Sequence, residues 1–165
     1  MKKITFLVLL SALTLSTIAQ NKFGHINAQE ILLLMPEYKA AGTELESFAK
    51  SLEAQLSSIQ AELQTKYTDY QNNESSLDDL TKQDKEREIQ DLQQRMQDFQ
   101  QRAQQSVQTK EQELLEPVME KARKAIEDVA TEGGYTYIFD RSNGTILYAK
   151  ESENVIDLVK KKLKL

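Results

Sequence analysis

Apolar positions in the first half of the chain recur in alternating steps of four and three. Leu45, Ala49, Leu52, Leu56, Ile59, Leu63, Lys66 and Tyr70 mark one stripe, with Lys66 its one polar member. That spacing is the seam of a long helix packed against another helix. Phe48 and Tyr67 widen the stripe, and between Glu37 and Tyr70 there is no Pro and only Gly42. The segment NNESSLDD, residues 72–79, then breaks the pattern. Its Asn and Ser side chains compete for helical backbone bonds. Thr81-Lys82-Gln83-Asp84 resembles a capping box and predicts a helix restart. A second seam follows at Ile89, Leu92, Met96, Phe99 and Ala103. It continues through Val107, Leu114, Val118, Ala122, Ala125 and Val129, and Gly133-Gly134 closes it. Two seams joined by a polar tip near residues 72–81 predict an antiparallel coiled-coil hairpin over residues 37–131. At ~1.5 Å per residue each arm reaches about 60 Å. A single continuous rod is the alternative.

The ends of the chain carry a different period. Lys22–Asn27 reads as a strand. Tyr135–Phe139 and Thr145–Ala149 read as a β-hairpin around Asn143-Gly144, which supplies positive φ cheaply. Tyr135, Tyr137 and Phe139 share one expected strand face, and Ile146 and Tyr148 add apolar surface with Phe23 and Ile26. Ser152 is a plausible N-cap for a final helix striped by Val155, Ile156, Val159 and Leu163. Its Lys160, Lys161, Lys162 and Lys164 suit the negative end of the helix dipole more simply than an anionic lipid. The expected fold class is therefore α+β and mainly α. A long hairpin arm stands on a small β body made of residues 20–36 and 132–165. So small a body needs other copies of itself to bury enough surface.

Two prolines fall at matching heights. Pro36 lies 41 positions before residue 77 and Pro117 lies 40 after it. An interior Pro removes a backbone bond and clashes with the preceding turn. A bend or break is expected in both arms at this level.

Composition narrows the function. The 165 residues include no Cys and one His, His25, so thiol chemistry is excluded and a zinc site is disfavoured. Carboxylates are plentiful but lie on helix faces, and His25 has no catalytic partner near it in sequence. The expectation is no enzyme, no cofactor, no metal and no catalytic residue. The opening MKKITFLVLLSALTLSTIAQ has a basic start, a short apolar run and small residues at Thr17 and Ala19. It reads as a secretory signal, residues 1–19, cut before Gln20. An uncleaved anchor is disfavoured by its length. Net charge is −5 and becomes −7 without Lys2 and Lys3. Acidity of that size argues against nucleic acid as a partner. No later segment is apolar enough to cross a membrane.

Lys22–Leu33 (KFGHINAQEILL), the Gln-rich hairpin, and Glu132–Leu163 (EGGYTYIFDRSNGTILYAKESENVIDLVKKKL) together resemble the Skp/OmpH family of periplasmic chaperones. The resemblance covers nearly all of the chain after the signal. It implies a periplasmic homotrimer whose strands form a shared hub, with Phe23, Ile26, Tyr135, Tyr137, Phe139, Ile146 and Tyr148 in the trimer body. It further implies three arms enclosing a cavity that holds unfolded outer-membrane proteins without ATP, and no phosphate-binding Gly-Lys loop is present. Phe48, Tyr67, Tyr70 and Phe99 are then candidates for client contact; packing within each hairpin seam is the competing reading. One departure stands out. Family arms are basic, whereas residues 37–131 here hold twelve Lys/Arg and twenty Asp/Glu, a charge of −8. Lipopolysaccharide binding is therefore not carried over. A structural coiled-coil scaffold of the envelope, with one folded partner, is the alternative function.

Overall fold

The computed structural model describes residues 21–165; the expected signal, residues 1–19, lies outside them. The elements run β1 (Phe23–Ile26), α1 (Ala28–Leu34), α2 (Pro36–Asn73), α3 (Asp79–Gly133), β2 (Tyr137–Asp140) and α4 (Ile156–Leu163). Single 3-10 turns stand at Glu74–Ser76 and Glu151–Glu153. The described chain forms two compact units. One, the body, holds the strands, Lys124–Lys164 and the residues up to Ala28; the other, the arm, is Gln29–Arg123 with Leu165.

In the arm, α2 and α3 are antiparallel, and their cross-helix contacts fix the register. Lys66 Nζ meets Glu88 at 2.6 Å, Lys85 meets Asp69 at 2.7 Å and Lys110 meets Glu44 at 2.7 Å. Lys121 also pairs with Glu37, and the Tyr70 hydroxyl donates to Glu86. Every one of these pairs is centred on residues 77 to 79, so the turn of the hairpin lies there. The seam is the one the heptads mark. Ile59, Ile89 and Leu92 are buried, and Leu52, Leu56, Leu63 and Phe99 are half-buried. A two-helix seam has only one partner face, so its side chains cannot be covered all round. Lys66 occupies its seam position by reaching across to Glu88.

The tip differs in detail from the capping-box reading. The restart begins three residues earlier, because Asp78 and not Thr81 caps α3. The Thr81 backbone N–H donates to Asp78 Oδ1 and the Thr81 hydroxyl to Oδ2, both at 2.9 Å. A carboxylate offers two acceptor oxygens where a threonine hydroxyl offers one.

The prolines behave differently from one another. α1 stops at Leu34 and α2 opens on Pro36, where a missing N–H costs a helix nothing. Pro117 lies inside α3, which continues as helix on both sides of it, so no break occurs there.

In the body, the expected β-hairpin is not formed. β2 pairs with β1, and in parallel: Phe23 faces Tyr137, Gly24 Ile138, His25 Phe139 and Ile26 Asp140. Thr145–Ala149 forms no strand, and Tyr135 lies ahead of β2. Both sides of β1 are used within the chain. On the second side His25 bridges to Asn154, and the Val155 N–H donates to the His25 carbonyl at 3.0 Å. The Asn-Gly turn itself exists, with Gly144 at φ +71°. Asp140 builds its first half by accepting from the Ser142 N–H and hydroxyl and from the Ala28 N–H. Ser152 does not cap the last helix; it lies in the 3-10 turn, and Asn154 Oδ1 accepts from the Ile156 N–H instead. Ile26, Val155 and Val159 are fully buried, with Ala125 and Val129 of α3 also buried.

Candidate binding surfaces

The body exposes Phe23, Tyr137 and Phe139 and buries Ile26, Val155 and Val159. Phe23 and Tyr137 stack with centroids 6.1 Å apart, and Phe139 stands 6.2 Å from Phe23 and 6.0 Å from Tyr137. Alternation along β1 and β2 puts these three rings on one side of the sheet. All three remain largely exposed, Tyr137 at 60%. The extended stretch after the Asn-Gly turn adds to them, with Leu147 at 96% and Tyr148 at 84% exposure. Scattered exposed apolar side chains are ordinary, but a stacked trio followed by an extended segment carrying Leu147 and Tyr148 forms a contiguous candidate binding surface.

Tyr135 has another role. A Cβ on Gly24 would lie 3.0 Å from its ring, and one on Gly133 would lie 2.4 Å from it. Those glycines are the space the ring fills. Lys22 Nζ stands 4.0 Å above the Tyr135 centroid and donates to the Gly133 carbonyl at 2.7 Å. Ile26 is core and Ile146 is half-buried. The expected body set thus divides: Phe23, Tyr137, Phe139 and Tyr148 face outward, while Ile26 and Tyr135 hold the chain's own fold. Leu147 was absent from the expected set. Strict strand alternation hid it by placing it opposite Ile146 and Tyr148.

On the arm, Tyr67 is exposed at 45%, and Phe48, Tyr70 and Phe99 are half-buried. Tyr70 is tied to Glu86, and that bond to a carboxylate pushes its phenol up to about 12. The Gln side chains from Gln90 to Gln108 are all exposed. Sequence reasoning passed over Met119, which is 56% exposed one position beyond the buried seam residue Val118.

His25 is buried at 2%, its Nε2 lying 3.0 Å from the Lys150 carbonyl oxygen. That contact makes Nε2 the protonated nitrogen, since a carbonyl only accepts. Nδ1 is buried without a partner. Among the described residues no cluster of His, Cys, Asp or Glu could hold a metal ion, and no helix is long and apolar enough to cross a membrane. The surfaces offer shape, apolar area and charge.

The sequence model of one family, Outer membrane protein (OmpH-like), matches residues 22–163. A crystal structure from Caulobacter crescentus CB15, described as an outer membrane chaperone (OmpH-like), shares the fold at a TM-score of 0.77. It is 16% identical, and the alignment covers 87% of this chain and 83% of that one. No curated protein sequence matches. With the match running from the residue before β1 to the last residue of α4, the chain belongs to the OmpH-like outer membrane protein family.

Proposed function

We propose that this chain is an ATP-independent holdase of the periplasm, and that it works as a homotrimer holding unfolded outer-membrane proteins between its arms. The observation that carries the reading is the unfilled aromatic face of the body. Phe23, Tyr137, Phe139, Leu147 and Tyr148 would be covered by the same surface of other copies. The segment from Ile146 to Ala149, which forms no strand within the chain, would supply backbone groups for strand addition between chains. Family membership and the description of the Caulobacter protein support the chaperone role.

The mechanism rests on weak contacts repeated on several arms. A client touching one arm is held near the next at high effective concentration. Phe48, Tyr67, Tyr70 and Phe99 are proposed contact residues, available to the extent that the two-helix seam leaves them uncovered. No nucleotide is needed, because a client that folds elsewhere is withdrawn by mass action.

The test uses the chain from residue 21 onward. Sedimentation should give a trimer at micromolar concentration. Equimolar trimer should keep a urea-diluted β-barrel protein soluble in the absence of ATP. A well-folded monomer, or a trimer that leaves aggregation unchanged while one folded protein co-purifies, would replace this reading with that of an envelope scaffold.

A further inference from the structure

An exposed apolar surface also lies on the arm, on the stretch of α3 that contains Pro117. Glu111, Leu115 and Met119 succeed one another at intervals of four, and Gln112, Glu116 and Glu120 run beside them. Together these six line an open groove. Its floor is apolar: Leu115 is half-buried and Met119 is 56% exposed. The groove lies beside the seam, whose members here are Leu114 and the buried Val118 and Ala122.

Two of its carboxylates are left without a cation. Lys110 pairs with Glu44 and Lys121 with Glu37, while Arg123 pairs with Glu120 at the groove's own rim and Lys124 follows one turn beyond it. Glu111 and Glu116 have no cation partner among the described residues. An apolar floor between unpaired carboxylates repels a second copy of itself. It also repels an anionic headgroup or phosphate. The occupant that complements it brings apolar side chains with positive charge beside them. Met has the flexibility to fit many such sequences in place of one.

We propose that this groove receives unfolded client segments in which Lys or Arg flanks aliphatic or aromatic residues. The proposal rests on the holdase reading and names the class of segment that its arms select. Selection acts through exposed charges, so it weakens with salt.

The test compares two labelled, unstructured peptides with identical Leu and Tyr positions. One carries Lys and Arg at the remaining charged positions and the other carries Asp and Glu. Binding to the trimer is followed by fluorescence anisotropy. The cationic peptide should bind about tenfold more tightly at low salt, with most of that margin lost at ~0.5 M salt. E111Q/E116Q should reduce the margin about three- to tenfold, and E111K/E116K should reverse the preference. Both variants alter exposed groups, and sedimentation verifies the assembly. Equal binding of the two peptides, or an unchanged margin in both variants, overturns the proposal. Aggregation suppression measured on the same preparation separates the cases. If holding persists without charge preference, the groove assignment alone falls; if nothing is held, the holdase reading falls with it.

Discussion

The arm and the body solve the same problem in opposite ways. The arm has a modest apolar seam and completes it inside one chain. Lys66–Glu88, Asp69–Lys85, Glu44–Lys110 and Glu37–Lys121 all close between its own two helices. The body has the richer apolar content and leaves much of it outside. Three stacked rings and an extended segment with Leu147 and Tyr148 stay in contact with solvent. A long helical hairpin is nearly self-sufficient because each turn meets a partner turn of the same chain. A two-stranded parallel sheet is not, since parallel sheets are stable when covered on both faces. The body is therefore where the proposed assembly would form, and the arm is where the proposed client surface lies.

The sharpest way to break the contrast is to remove the exposed anchors. Leu147→Ser with Tyr148→Ser deletes two side chains that touch little of their own chain. Each large apolar side chain buried is worth about 1.5–3 kcal/mol. Counted once per subunit, that is enough to dissociate the proposed trimer. Sedimentation should show smaller species while the helical circular dichroism persists. A trimer of unchanged concentration dependence would place the interface elsewhere.

Core truncation should be the next largest effect, and it should differ between the two regions. Ile26 is 1% exposed in a body with few other buried side chains. Ile26→Ala should cost about 2–5 kcal/mol in denaturant unfolding. Leu56→Ala in the half-buried seam should cost roughly half as much, because its side chain already meets water. Equal losses at the two positions would remove the distinction.

How much the sequence reveals follows the same division. The heptads from Leu45 to Val129 locate the seam and the turn because helix packing is local and periodic. Every cross-arm pair lies where the two stripes meet. The body resists such reading. β1 and β2 pair in parallel across more than a hundred residues, Phe23 with Tyr137, and no local pattern encodes that register. The Asn143-Gly144 signal is sound as a turn and misleading as a hairpin, since β2 pairs with β1 and Thr145–Ala149 forms no strand. The caps expected at Thr81 and Ser152 do not form: Asp78 accepts from the Thr81 N–H, and the last helix opens at Val155 with Asn154 accepting from the Ile156 N–H. The outward face at Met119 shows in sequence only as an apolar residue off the heptad.

A smaller effect comes from acid. Hydrogen bonds from the Thr81 backbone and hydroxyl hold the Asp78 carboxyl below its ordinary range. The bond from Lys121 does the same for Glu37, and that from Lys85 for Asp69. A folded-state value below the unfolded one adds stability above the unfolded value, and that stability is lost as pH falls through the folded one. The arm should lose thermal stability as pH drops below about 4. Asp78→Asn keeps a capping acceptor without the titration, and its melting temperature should fall less steeply over that range. An equally steep fall would remove the cap from the account.

The finest test concerns Tyr70, at the level of the arm where α2 approaches its end. Its hydroxyl donates to Glu86, so ionisation would both break that bond and set two anions side by side. The phenol is accordingly pushed up to about 12 from an ordinary 10.0, the Glu86 bond contributing most. Here the folded-state value is the higher one. The contribution to stability is complete below the unfolded value and disappears as pH rises through the folded one. The absorbance of phenolate should be followed through an alkaline titration of the parent and of Tyr70→Phe. Their difference isolates this one group, and it should emerge late, near pH 12. Glu86→Gln should draw it back toward 10, because an amide accepts the same bond without repelling the phenolate. A difference spectrum centred at the ordinary phenol value would mean that the bond does not persist in solution. The register of the helices near the tip would then rest on the Lys66 and Lys85 pairs alone.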